Sequence, residues 1–198
     1  MLTMTSFTLR HCCLGILLFL AGCASQPLPP GDEQLIAQPP TNWQAVYVFN
    51  NETTRIAEYV PPGENNLNWQ TKISFEAYQG QSALAPEVLL RQQIEQEQNR
   101  CSFIQHKPII NRPENGYPTA VHLMLCGEVG SSGFGQVRLM KAIQGQDNLY
   151  LLQLTRNLPA FEPGMAPFQR SEMAAWSRLL SQPFVCDDRI PDRACPDT

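Results

Sequence analysis

The residues His122, Met124 and Cys126 are the set in this sequence whose types and spacing come nearest to a metal site. Side chains alternate along a β-strand, so three residues spaced two apart project from the same face. Imidazole, thioether and thiolate groups are ligands that copper accepts. The residues that alternate with them are also apolar, which predicts a strand buried on both faces. A disulfide at Cys126 would also remove its thiolate, so we expect core residues and neither a metal nor another cofactor.

The other patterns with a chemical meaning favour ordinary surface structure over catalysis. The glycine-rich run 130–135 lacks the Lys-Ser or Lys-Thr pair of a phosphate-binding loop and precedes a strand, so we interpret it as a hairpin connection. Two acidic pairs, Glu95 with Glu97 and Asp187 with Asp188, are typical of a solvated surface. No serine lies in a nucleophile-elbow pattern. We therefore expect that the protein is not an enzyme.

A short apolar stretch, residues 12–20, ends in the sequence Leu-Ala-Gly-Cys at 20–23. Nine residues are too few to cross hydrocarbon, which takes about 20 in a helix. The order of a positive charge at Arg10, an apolar core and small residues is that of a secretory signal. The motif resembles the lipobox of bacterial lipoproteins. This resemblance implies that residues 1–22 are removed, that Cys23 is diacylated on sulfur, and that its new N-terminus is acylated.

The lipobox resemblance also implies a cellular location. Three acyl chains exceed the two signals that stable membrane anchoring requires, so the mature protein is expected to stay on its bilayer. Residue 24 is Ala and not Asp. In a Gram-negative host this favours the outer membrane, with the domain facing the periplasm.

The remaining cysteines are Cys101, Cys126, Cys186 and Cys195. An even number is typical of disulfides in an oxidising compartment, and four cysteines allow three pairings. We favour Cys101 with Cys126 and Cys186 with Cys195, because each pair closes a local loop and the first joins neighbouring strands. The spacing does not match a zinc pattern of close cysteine pairs.

The charge of the chain argues against nucleic acid as a partner. The formal charge is −4 at pH 7, and removal of residues 1–22 takes away Arg10 and no acidic residue, which leaves −5. The chain has only three lysines and no basic run. It therefore lacks the positive surface that binding to phosphate backbones requires.

The composition divides the mature chain into a tether and one domain. Residues 23–42 carry the acylated cysteine and are rich in proline and polar residues, which predicts a semi-rigid tether. Residues 43–198 contain no further linker, and their length is typical of a single domain.

Most of this domain shows the period of two that indicates strands. We predict strands at 44–49, 54–60, 69–77, 102–109, 119–128, 136–143 and 149–156, a helix at 86–100, and a second helix between Ser171 and Pro183. Short turns connect most neighbouring strands, which makes those strands antiparallel. The predicted fold is therefore α+β, a mainly antiparallel sheet flanked by helices.

This order of elements, the Trp-x-x-x-Ile pattern at 69–73 and the segment 141–150 resemble uncharacterised bacterial lipoproteins with a PsbP/Mog1-like fold. The resemblance implies an α/β/α sandwich. It also implies a role in binding or assembly.

The proline-rich loop 158–168 contains the large apolar residues Phe161, Met165 and Phe168. Such residues are unusual in a connection that faces water. One hypothesis is that the loop presents a patch that binds a protein partner, and the alternative is that it only seals the sheet. We expect a non-enzymatic envelope lipoprotein that serves an assembly or secretion system. The alternative function is the binding of a small apolar ligand or copper.

Overall fold

The computed structural model describes residues 33–165 and 167–196. The predicted signal peptide and Cys23 lie outside these residues. The elements are β1 (Gln34–Ile36), β2 (Gln44–Asn50), β3 (Thr54–Val60), β4 (Thr71–Gln79), α1 (Pro86–Glu97), β5 (Ile104–Asn111), β6 (Thr119–Cys126), β7 (Phe134–Gln144), β8 (Asn148–Pro159), α2 (Arg170–Ser181), β9 (Phe184–Cys186) and a 3-10 turn at Pro191–Arg193. None of the helices in this part of the chain has the length and apolar character needed to cross a bilayer.

Seven strands form one antiparallel sheet in the order β2-β3-β4-β8-β7-β6-β5. The central strands β7 and β8 are buried on both faces, because each face is covered by a helix. Strands β2 and β5 form the two edges. The prediction of an α+β fold with a mainly antiparallel sheet is confirmed.

The two helices cover opposite faces of the sheet. Helix α1 begins at Pro86 in its first turn and buries Leu90 and Ile94 against Met124 and Met140. Proline is favoured at this position because its missing N–H would have no partner there.

Helix α2 packs on the other face through Trp176 and Leu180, over Leu139 and Leu152. A capping box at Gln169 and Glu172 satisfies its first N–H groups. The architecture is thus three layers: helix, sheet and helix.

A second, two-stranded sheet pairs β1 with β9, which the sequence did not predict. Leu35 lies opposite Val185 in this sheet. Residues 33–42, which the sequence analysis assigned to the tether, therefore belong to the folded domain.

Glu33 fastens this N-terminal segment to the turn between β7 and β8. Its carboxylate accepts hydrogen bonds from the backbone N–H groups of Gln146, Asp147 (3.3 Å) and Asn148 (3.1 Å). The hydroxyl of Tyr150 also donates to it, at 3.0 Å. These contacts satisfy the carboxylate although Glu33 is buried.

Both favoured disulfides are present. The bond between Cys101 and Cys126 joins the chain just after α1 to the end of β6, with the two Cα atoms 5.4 Å apart. The bond between Cys186 and Cys195 closes the C-terminal segment onto β9.

Candidate protein-binding surface

Several connections meet at one end of the seven-stranded sheet, which we call the loop end, and three of them carry the exposed surface. These three are residues 61–70 between β3 and β4, 127–133 between β6 and β7, and 160–169 between β8 and α2. The strand register brings them together, since Thr71 lies opposite Arg156 and Phe134 lies opposite Pro159. Glu33 and the β7–β8 turn lie at the other end.

The connection between β3 and β4 presents Leu67, the most exposed of the large apolar side chains in the described chain at 95 %. The side-chain oxygen of Asn65 accepts hydrogen bonds from the N–H groups of Leu67 (2.9 Å) and Asn68 (3.1 Å). The carboxylate of Glu64 accepts the N–H of Gln70 at 2.7 Å. These side-chain contacts fix the turn and hold Leu67 away from the core.

Directly after the connection between β6 and β7, strand β7 begins with Phe134, which is 56 % exposed. Gly133 has a φ of +75°, a conformation that glycine adopts without steric cost. Its N–H donates to the carboxylate of Glu128 at 2.8 Å, and the hydroxyl oxygen of Ser132 accepts the N–H of Phe134 at 3.2 Å. The turn is therefore fixed by its own polar groups, and Phe134 remains outside.

The loop between β8 and α2 separates the three apolar residues singled out in the sequence. Phe161 packs edge-on against Phe103, with ring centroids 5.8 Å apart, and its N–H donates to the carbonyl of Gly127. A Cβ atom at Gly127 or Gly135 would overlap one of these rings. Phe161 is thus a half-buried anchor of the loop, and it does not contribute a free surface.

Phe168 and Met165 have different environments. Phe168 is half-buried and lines a small cavity together with Met173 and Trp176 of α2, so it closes the core. Met165 is 57 % exposed. Of the three predicted partner-binding residues, the structure places only Met165 on the surface. Phe161 and Phe168 help to seal the fold, whereas partner binding through this loop stays a prediction.

Two adjoining clefts run between these connections. One has a volume of about 880 Å³ and is lined by Leu67, Trp69 and Phe134, with Pro159 at its border. The other, of about 380 Å³, is lined by Phe103, Phe161, Met165 and Ala160. Pro159 lines the first cleft, and Ala160, the next residue of the chain, lines the second. Exposed apolar side chains therefore line two neighbouring clefts at the loop end, Leu67 and Phe134 the first and Met165 the second.

Most charged groups at the loop end are used within the fold. Arg156 is paired with Glu172 of α2, Glu64 holds the β3–β4 connection, and Glu128 holds the β6–β7 connection. Glu162 is exposed beside Met165. What the surface offers to another molecule is consequently mainly apolar contact.

Leu67 and Phe134 were missed by the sequence analysis. Each is a single large apolar residue among turn-forming residues, Leu67 between asparagines and Phe134 between glycines. That isolation inside a turn is the signal that could have identified them.

The residues His122, Met124 and Cys126 project from one face of β6, as predicted, but they do not form a ligand set. Met124 is fully buried beneath α1 and Cys126 is in a disulfide. His122 lies nearly parallel to His106, with ring centroids 6.4 Å apart, and its buried Nδ1 has no hydrogen-bond partner. Burial, and next the neighbouring His106, lower the pKa of His122. Within residues 33–165 and 167–196, no three His, Cys, Asp or Glu side chains converge on a common point.

Comparison of the sequence with protein-family profiles and with curated proteins gives no match. Similar solved structures include a Pseudomonas aeruginosa protein of unknown function, PA94, at 14 % identity and a TM-score of 0.37, with 77 % of this chain and 96 % of that chain covered. They also include LpqN of Mycobacterium tuberculosis, involved in cell envelope biogenesis, at 13 % identity and a TM-score of 0.35, with 79 % and 85 % covered. With TM-scores below 0.5, these similarities carry no argument about what this chain does.

Proposed function

We propose that this protein is a lipid-anchored component of the bacterial envelope that binds a protein partner through the loop end. It acts by binding and not by catalysis, as an accessory of an envelope assembly or secretion system. The observation that carries the proposal is the exposure of Leu67, Phe134 and Met165, which lie in or directly beside three separate connections at the loop end. Exposed apolar groups concentrated in one region are typical of interaction sites.

The construction of the loop end supports a binding role. Polar side chains such as Asn65 and Glu128 hold the turns in place before any partner arrives. A preorganised surface loses less conformational freedom on binding, which favours affinity. Large apolar side chains displayed by rigid turns are the anchors that a complementary protein surface can bury.

The position of the loop end is compatible with an anchor at Cys23. The chain enters the described domain at Glu33, which is bound to the turn at the opposite end of the sheet. A tether that joins the domain at Glu33 therefore attaches at the end of the sheet away from the loop end. In a Gram-negative host, Ala24 after the acylated cysteine favours the periplasmic leaflet of the outer membrane.

Photo-cross-linking in intact cells tests the binding site. A photoreactive amino acid replaces Met165 in the full chain, and irradiation is expected to give one defined adduct with another protein. Leu67→Asp should abolish this adduct, because it replaces the most exposed apolar side chain of the loop end with a charge. The matched control is Ile109→Asp, which adds the same charge to an exposed residue of β5 outside the loop end.

The loss of the adduct must not result from unfolding of the variant. Leu67 is almost fully exposed, so Leu67→Asp should change the free energy of unfolding by less than about 0.5 kcal/mol. An adduct that survives Leu67→Asp, or that disappears equally in Ile109→Asp, contradicts the proposed site.

The anchor has its own test. The Cys23→Ser variant should lose labelling by palmitate and should no longer partition with membranes. If it still carries the label, the lipid is attached elsewhere and the lipoprotein proposal is wrong.

A further inference from the structure

The second group of exposed apolar residues lies on β2, which forms one edge of the seven-stranded sheet. Tyr47, Val48 and Phe49 are consecutive and exposed, and Val48 reaches 69 %. An edge strand presents a row of N–H and C=O groups that can pair with another strand. Apolar side chains along such an edge favour that pairing.

The two edges of the sheet differ in the features that prevent pairing. Strand β5 carries Lys107 and Pro108, and its register is broken by a bulge at Ile109. Charge, proline and bulges are the usual protections of an edge strand. Strand β2 has neither a charged residue nor a proline, and its bulge at Val46 leaves the stretch from Tyr47 to Asn50 regular. Only β5 is therefore protected against pairing along its whole length.

We infer that β2 pairs with β2 of a second copy of this chain, in antiparallel orientation, with the two-fold axis at Val48. The register then places Val48 opposite Val48 of the second copy. Tyr47 of each copy lies opposite Phe49 of the other, which gives two equivalent aromatic pairs. Tyr47 and Phe49 project from one face of the sheet and Val48 from the other. Cross-strand aromatic pairs and paired β-branched residues are the combinations that stabilise antiparallel strands.

The chemistry of the strand favours a second copy over a different partner. A two-fold interface brings each residue near its own copy, so a charged strand would meet its own charge. The formal charge of the whole chain is −4, yet every residue from Gln44 to Asn50 is uncharged. This edge is where two copies can meet without like-charge contact, and it offers no charge by which an oppositely charged partner would be selected.

The dimer is compatible with partner binding at the loop end. The two-fold axis is perpendicular to the sheet, so the loop end of one copy lies on the same side as Glu33 of the other. Strand β2 contributes no residue to the clefts around Leu67, Phe134 and Met165. The dimer contact and the partner-binding surface therefore share no residue, and each can be tested without disturbing the other.

Cysteine cross-linking of the full chain in isolated membranes tests the inference. Val48→Cys places a thiol on the two-fold axis, directly opposite its copy, and a short bismaleimide should give a product of twice the mass of one chain. Ile109→Cys is the matched control, since Ile109 is 47 % exposed on the protected edge. The unsubstituted chain gives the background.

A measurement of mass tests the same contact without a cross-linker. The full chain in detergent should sediment at twice the mass of one chain, Val48→Lys at the single mass, and Ile109→Lys at twice the mass. Val48→Lys places two ammonium groups opposite each other across the axis. A single mass for the unsubstituted chain, equal cross-linking of both cysteine variants, or a Val48→Cys product with a different protein would each overturn the inference.

Discussion

The ammonium group of Lys141 lies 2.5 Å from a carboxylate oxygen of Glu114 in the interior of the domain. The side chain of Lys141 is 1 % exposed. It also donates hydrogen bonds to the carbonyl oxygens of Leu180 (3.1 Å) and Pro183 (3.0 Å). All three N–H donors of the ammonium group are thus used. This buried charge connects β7, the β5–β6 connection and the C-terminal end of α2. The C-terminal end of a helix carries partial negative charge, which favours a cation there.

Glu114→Gln should lower the free energy of unfolding by about 2 kcal/mol, because the buried ammonium of Lys141 loses its counter-charge and keeps only neutral acceptors. This value lies between an exposed pair, at most about 1 kcal/mol, and a fully buried pair, about 3–5 kcal/mol, since Glu114 is about one quarter exposed. Urea denaturation measures it. Glu162→Gln, at an exposed carboxylate, is the control, and equal losses in both variants would contradict this account.

Glu33→Gln should release β1 from the domain. The carboxylate accepts three backbone N–H groups of the β7–β8 turn, and hydrogen bonds to a charged acceptor contribute about 1.5–3 kcal/mol each to local stability. We expect the amides of β1 that bond to β9 to lose protection against hydrogen exchange. Glu64→Gln removes a carboxylate that also accepts two backbone N–H groups, but at the loop end. Protection of β1 should be unchanged in that control, and a loss in both variants would argue against a local role of Glu33.

Stability should depend on pH through His122. Burial lowers its pKa in the folded protein, whereas the unfolded chain has the usual value of about 6.5. The unfolded state then binds more protons as the pH falls below about 6.5, so the free energy of unfolding decreases until the folded pKa is passed. His122→Gln should flatten the slope in this range. An unchanged slope would show that other groups account for it.

The disulfides should contribute unequally. The bond between Cys101 and Cys126 spans 25 residues, whereas that between Cys186 and Cys195 spans 9. In the chain-entropy account, the longer loop corresponds to roughly 3.5 kcal/mol and the shorter to roughly 2.5 kcal/mol. Urea denaturation of the two Cys-to-Ser double variants measures both. A larger loss for the Cys186 pair would be evidence against this order, and a peptide mass map of the non-reduced protein checks the pairing.

Local patterns were sufficient for most of the fold. Alternation along β4 and β6, the proline that begins α1 and the turns between strands predicted the order of elements and the α+β class. They were sufficient because period and turn chemistry are properties of neighbouring residues. The disulfide pairing followed from the same reasoning, since Cys101 and Cys126 lie next to strands that the chain connects directly.

Strands β1 and β9 were not predicted, because three residues are too few to show a period. The role of Glu33 could not be predicted from the sequence either. Its partners lie 113 to 117 residues further along the chain, and no local pattern relates them.

The sequence by itself determined which residues are apolar and which lie in turns, and hence that the loop 158–168 carries large side chains where water is expected. Only the tertiary structure decided which of these side chains are buried and which are exposed. Phe161 is an anchor because Gly127 and Gly135 leave room for its contact with Phe103, whereas Met165 has no such site and stays exposed. The physical reason is that burial depends on the space that distant residues leave open, and that space exists only after the strands have paired.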